Sequence, residues 1–148
     1  MVFLTLQGGA PGPLSGKIGG VPYGVKGDPW PAAPDGTPMT FLAQLNFDEL
    51  PELLGFPTAG LLQFFIGTDV VMGCDFLRPD PAKPPGYEVR WIPEPTADPG
   101  DLDEDVPPVV TDYTPLPDGP GLRITGQLAE NAMSSGDRLF EHAVGIDF

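Results

Sequence analysis

Residues 40–47 alternate in character, with Phe41, Ala43, Leu45 and Phe47 on one side of an extended chain and Leu42, Gln44 and Asn46 on the other. That is the period-two pattern of a strand. Both sides carry bulk, which places the strand in the interior of a sheet. Leu61 to Ile66, bounded by Gly60 and Gly67, predicts a second interior strand. Residues 2–6 predict a first strand by alternation. Residues 70–76, with Gly73 among them, predict a third interior strand in which the glycine marks a bulge or a close backbone approach. Residues 87–92 predict a fourth, with one face more solvated, and residues 122–124 a short further one.

Between these runs the pattern changes. Residues 48–54 predict one or two helical turns, with Pro51 tolerated only as a first-turn residue. Ser134 to Asp137 resembles a capping box, so a short helix is predicted after it, with Leu139, Phe140, Ala143 and Val144 as its buried stripe and Gly145 as its stop. Trp30, between Pro29 and Pro31, reads as a plug over the core edge or as a platform for a ligand. Asp35-Gly36 is a turn signal. Residues 93–121 turn rich in proline, aspartate and threonine and read as an acidic surface excursion.

Composition narrows the architecture. The chain has 148 residues, 21 of them proline and 20 glycine, and its hydrophobic fraction of 41% suits a folded domain. Long helices are excluded, because proline removes a backbone donor and clashes with the preceding turn. The expectation is a single domain over residues 1–148 of α+β class, predominantly antiparallel β-sheet with short helices and long Pro/Gly-rich loops.

Charge narrows the function. Seven basic residues face 21 acidic ones, a net charge of −14. Such a field repels phosphate backbones and anionic membranes, so neither nucleic acid nor a membrane is expected as a partner, whereas a basic protein is attracted. The single cysteine, Cys74, forms no internal disulfide, and no cysteine pair suggests a metal. The N-terminal VFLTL run lacks a basic flank and is followed by glycine and proline, unlike a secretory signal or a membrane span. A cytoplasmic protein is expected.

Candidate chemistry is sparse. Gly16-Lys17 fails as a phosphate loop, since Pro11 stands where a glycine is needed and Ile18 where Ser or Thr would meet magnesium. Lys17 with the Gly19-Gly20 backbone could still form a small anion nest. Cys74, Asp75 and His142 include thiol-hydrolase residue types, yet a cysteine inside an apolar run behaves as a small hydrophobe. Asp101, Asp103, Glu104 and Asp105 resemble a calcium loop in composition only, lacking its glycine and distant glutamate, and read as a solvated acidic face. Gln44 and Gln63 sit inside predicted core strands, where an unpaired amide costs about 1–3 kcal/mol. Each either bonds a neighbouring loop backbone or lines a polar site. No cofactor, metal site or catalytic residue is indicated.

Lys17-Ile18-Gly19-Gly20-Val21-Pro22-Tyr23, Trp30-Pro31, Thr40 to Asn46, Glu49-Leu50-Pro51 and Gly60 to Ile66, taken in order, resemble the YwqG-like family of bacterial proteins. Asp137-Arg138-Leu139-Phe140-Glu141 resembles a later segment of it. The resemblance implies a β-rich α+β fold built by internal duplication, with no assigned activity. Members typically carry a second copy of the KIGG, LxQ and FFI pattern that this chain lacks, so one half of a duplicated unit is expected, with an uncovered strand edge that pairs into a homodimer. Some relatives resemble proteins of toxin and immunity systems. The resulting expectation is a non-enzymatic module that engages a protein partner, such as a basic one, through an exposed strand edge or through the acidic excursion at Asp101, Asp103, Glu104 and Asp105, toxin neutralisation being one concrete version. The alternative is a small-ligand binder or enzyme with a pocket around Lys17, Trp30, Gln44 and Gln63.

Overall fold

The structure is a computed structural model that describes residues 2–74, 85–98, 100–103, 105, 107, 116 and 119–130. Six strands form one antiparallel sheet: β1 (Val2–Gln7), β2 (Lys17–Ile18), β3 (Thr40–Asn46), β4 (Leu61–Ile66), β5 (Tyr87–Ile92) and β6 (Leu122–Leu128). Their spatial order is β1-β6-β2-β3-β4-β5. The two bulky runs, β3 and β4, lie inside the sheet, and β1 and β5 are its edges.

The α+β expectation is corrected. Among the described residues there is no α-helix, and the one helical element is a 3-10 turn at Phe47–Glu49. The Asn46 side chain accepts from the Asp48 N–H, and the Leu50 N–H closes the turn on the Phe47 carbonyl. Pro51 then has no N–H to extend it, and the residue before a proline is pushed out of the helical region. Leu50 is accordingly extended, at φ −103° and ψ 149°. The helix expected after Ser134 lies outside the described residues.

The strand expected over residues 70–76 is also corrected: residues 70–73 form a turn, and residues 75 and 76 lie outside the described residues. Asp69 Oδ1 accepts from the N–H groups of Val71 at 2.8 Å and Gly73 at 3.1 Å, winding the chain back on itself. Gly73 does mark a close approach, since a Cβ there would stand 1.8 Å from the Gly86 carbonyl oxygen.

A bulge in β3 decides which face is covered. Phe41 opposes Phe65, yet Ala43 opposes Phe64, so Leu42 is the extra residue. Residues opposite each other across an antiparallel pair share a face. Beyond the bulge Gln44 and Asn46 therefore join Phe41 on the face of Leu61, Gln63 and Phe65, and Ala43 and Leu45 turn to the other. The strict alternation read from residues 40–47 had grouped Phe41 with Ala43 and Leu45. On the covered face, Met39, Phe41 and Phe65 form the apolar core, with Trp30 and Ala33 packed against it.

Between Pro13 and Met39 the chain lies over that face, through the backbone of Pro13, Leu14, Ser15 and Tyr23 and the side chains of Trp30, Ala33 and Met39, apart from the two residues of β2, which wedge between β3 and β6. The covering chain crosses residues 119–121 at near contact. Gly20, at φ +72°, would place a Cβ 2.1 Å from the Pro120 carbonyl oxygen, and Gly121, at φ +90°, one 2.6 Å from that of Gly19. Only glycine permits this crossing. Gly20→Ala should therefore cost at least about 2 kcal/mol in denaturant unfolding, from steric conflict and positive φ together. Gly8→Ala, with nothing within 4 Å of its Cβ, should be nearly neutral.

Candidate functional site

Across five neighbouring strands, one row of opposed residues is entirely polar: Arg123, Lys17, Gln44, Gln63 and Arg90. Its middle is almost sealed from solvent, with Lys17 at 1% exposure, Gln44 at 0% and Gln63 at 1%. Burying such groups is costly unless each is hydrogen-bonded. Here each is. Gln44 Nε2 donates to the carbonyls of Pro13 at 2.8 Å and Ser15 at 3.0 Å, and its Oε1 accepts from the Tyr23 N–H and from Gln63 Nε2. Gln63 also donates to the Tyr23 carbonyl at 2.6 Å. Asn46 donates to the Leu14 carbonyl, and Arg90 to that of Pro29. The row stitches the covering loop to the sheet.

Lys17 donates from Nζ to the Val21 carbonyl at 2.8 Å. Burial pushes its pKa down from 10.5 to about 8, with the nearby Glu49 carboxylate opposing the shift. Glu49 is otherwise engaged, accepting from the Gly16 N–H and pairing with Arg123. The anion nest anticipated at Gly19-Gly20 has one donor already used, because the Gly19 N–H bonds the Leu42 carbonyl at 2.9 Å.

Above Gln63, Phe65 and Arg90 lies a cavity of about 360 Å³. Its apolar wall includes Tyr23, Trp30 and Phe65, and Asp28, Asp103 and Asp105 also line it. Trp30 meets Phe65 edge to face at 5.5 Å and donates its indole N–H to the Met39 carbonyl, so it both plugs the core and walls the cavity. The Arg90 guanidinium stacks 5.5 Å from the Phe65 ring centre, and Glu88 pairs with it. Among the described residues no cationic side chain forms an ion pair with Asp28, Asp103 or Asp105.

The acidic segment reaches the cavity because the loop holds it. Val25 and Leu102 form a β-bridge, the Lys26 N–H bonds the Asp101 carbonyl, and the Asp103 N–H bonds the Gly24 carbonyl. Lys26 Nζ adds a bond to the Gly100 carbonyl. Two groups of residues that look unrelated in the sequence thus converge: Trp30 and Gln63 share one cavity with Asp103 and Asp105. Lys17 instead borders a smaller cavity of about 180 Å³, beside Asp103, and Gln44 lines neither. Asp101 lines neither, and Glu104 lies outside the described residues.

The model of a family described as a domain of unknown function, DUF1963, matches residues 16–147. The chain belongs to that family. No curated protein matches it. The DUF1963 match takes in β2 to β6 and the whole cavity wall. Cys74 follows the turn after β4, half-buried, and its companions Asp75 and His142 lie outside the described residues. Among the described residues no cluster of His, Cys, Asp and Glu could hold a metal ion, and no helix is long and apolar enough to cross a membrane.

Sequence reasoning missed Asp28, Tyr23 and Arg90 as cavity residues. Arg90 was accessible through the row, since it occupies the same face of β5 that Gln63 occupies on β4. Asp28 carried no signal beyond its place before Pro29-Trp30.

Two predictions separate the row from the cavity. Gln44→Leu strands the Pro13 and Ser15 carbonyls and the Tyr23 N–H, so it should lower unfolding free energy by at least about 2 kcal/mol. A folding-neutral outcome would remove the row's structural role. Lys17 binds its proton more weakly folded than unfolded, so its stabilising contribution is fullest above about 10.5, shrinks as pH falls, and is gone below about 8. The stability difference between wild type and Lys17→Met, measured by urea unfolding, should therefore shift in favour of wild type as pH rises through that window.

Proposed function

We infer that this chain is a binding module whose cavity receives a cationic group carried by a basic protein, an arginine or lysine side chain. The convergence of Asp28, Asp103 and Asp105, free of ion pairs with described cations, on a cavity lined by Tyr23, Trp30 and Phe65 carries this reading. Carboxylates supply charge, and aromatic rings attract cations through their quadrupoles, worth about 0.5–2 kcal/mol per contact. The wall already holds one such contact in Arg90 over Phe65. The net charge of −14 adds long-range attraction that speeds encounter with a basic partner. Under the YwqG-like resemblance, a basic toxin neutralised by its immunity protein is one concrete partner of this kind.

A second reading, a small organic cation as ligand, is favoured by size, since about 360 Å³ falls in the range of about 300–1,000 Å³ typical of small-molecule sites.

Titration with a hexa-arginine peptide and, separately, with tetraethylammonium tests both. Asp28→Asn/Asp103→Asn/Asp105→Asn should weaken peptide binding at least about 10-fold, or about 1.4 kcal/mol. Asp35→Asn/Glu52→Gln/Glu130→Gln removes the same charge elsewhere and should change it far less. Equal losses from both triples would reduce the effect to net charge and sink the cavity reading. Tight, saturable binding of tetraethylammonium alone would favour the small-ligand reading.

A further inference from the structure

Lys17 is the one buried charged side chain among the described residues. Lysine is rarely buried in full unless an opposite charge pairs with it. Here, among the described residues, no carboxylate lies within ion-pair distance of its Nζ, and the Val21 carbonyl is its one hydrogen-bond acceptor. The neighbouring charges are engaged with each other: Arg123, its cross-strand neighbour on β6, pairs with Glu49, which also accepts from the Gly16 N–H. One carbonyl does not offset the cost of sinking an ammonium into a sheet, so burial favours the neutral amine. With a pKa of about 8, roughly a tenth of Lys17 is neutral at pH 7.

The cavity of about 180 Å³ that Lys17 borders gives this amine room to react. Pro11, Pro13, Val21, Pro22 and Leu102 make most of its wall apolar, and Asp103 is the carboxylate on it. Pro13 and Val21 stand exposed while Lys17 does not, so the cavity leads inward from the surface. We propose that Lys17 is a nucleophilic amine that condenses with small, uncharged aldehydes in this cavity to form an imine. A lysine desolvated among apolar groups is an activated nucleophile of this kind. Its nitrogen lone pair attacks the carbonyl carbon, and a proton passes from nitrogen to oxygen to give a carbinolamine. The hydroxyl then takes up a proton and leaves as water, the nitrogen gives up its last proton, and the C=N bond forms. Amine and aldehyde give imine and water, with no oxidation or reduction. Size and charge select the aldehyde. The volume lies below the about 300–1,000 Å³ of ordinary small-molecule sites, which admits only short compounds. Asp103 and the net charge of −14 repel 2-oxo acids and other anionic carbonyl compounds. The reaction does not rest on cation binding in the larger cavity, although Asp103 borders both.

Reductive trapping on the folded, unsubstituted chain tests this. With propionaldehyde and sodium cyanoborohydride at pH 7, peptide mapping by mass spectrometry should show Lys17 alkylated at least about 10-fold faster than the exposed Lys26. The basis is that a pKa of about 8 leaves more than about 100-fold more neutral amine than the ordinary lysine value of about 10.4. The Lys17 rate should rise with pH and level off above about 8. Glyoxylate, which is anionic, and pyrenecarboxaldehyde, which is bulky, should leave Lys17 unmodified while still reaching Lys26. Alkylation of Lys17 only after unfolding in urea, or no faster than Lys26, overturns the proposal and leaves the amine as a hydrogen-bond donor to Val21 alone. Labelling of Lys17 by all three aldehydes alike also overturns it, because the cavity would then select nothing.

Discussion

The amide of Gln44 is the joint on which the two layers of this protein meet. Residues 13–30 contain only two residues of strand, so most of their carbonyls and N–H groups find no ladder partner. Gln44, Gln63, Asn46, Lys17 and Arg90 supply what the ladder does not, each reaching from the sheet to loop backbone. An amide suits this task because it carries donors and an acceptor on one short, planar group, and Gln44 uses both ends at once. No described buried side-chain nitrogen or oxygen is left without a partner. A network satisfied in full rigidifies what it joins, whereas one missing member exposes the others to the cost of burial without a bond. The cavity inherits that rigidity: Gln44 and Gln63 fix Tyr23, Met39 fixes Trp30, and Arg90 fixes Pro29.

The strands were legible because their signal is local. Leu61 to Ile66 and residues 87–92 are strands with the bounds their patterns suggest, and residues 40–47 miss by one residue, the start of the 3-10 turn. What failed was non-local. Two residues of β2 are too few to show any period. Residues 70–74 look like a strand by hydropathy, and a single carboxylate, Asp69, takes the N–H groups a neighbouring strand would need. The bulge at Leu42 has no side-chain signature, yet it exchanges the faces of every residue before it relative to those after. Gln44 thereby shares a face with Phe41 and becomes part of the covered layer. The site was half legible for the same reason: Trp30 and Gln63 stood out by type, while their meeting with Asp103 depends on a bridge between Val25 and Leu102, 77 positions apart along the chain.

The sheet inverts the usual division of a two-faced β-layer. Its covered face carries the polar row, and its other face carries no charged strand residue, with Leu4, Leu6, Leu128, Tyr87, Val89 and Trp91 exposed on its flanks and Thr40 and Ile124 buried within it. Antiparallel sheets ordinarily bury the apolar side first, because that burial supplies most of the driving force for folding. The small apolar cluster of Met39, Phe41 and Phe65 accounts for only a corner of the covered layer, and hydrogen bonds hold the rest. Hydrogen bonds contribute modest net stability, about 0.5–1.5 kcal/mol each, but strong directionality. The covered face is thus built for position.

Position matters most for the three aspartates. Asp28 sits between β2 and β3, and Asp103 and Asp105 sit between β5 and β6, so nothing local gathers them, and like charges brought to about 4 Å repel by roughly 1 kcal/mol per pair even in water. Here the Val25–Leu102 bridge and the bonds from Gly24 and Lys26 hold Asp103 and Asp105 against the cavity that Asp28 also lines. The loop that carries Asp28 is in turn held by the polar row. The fold therefore brings these carboxylates to one cavity, whose wall also carries Arg90. Under the proposed reading, a cation at the cavity would meet carboxylates that the fold has already gathered, the advantage a preorganised site has over a flexible acidic tail. On that reading two features of the chain act together: the buried glutamines hold the loop, and the loop holds the acidic groups at the cavity that a cation would enter.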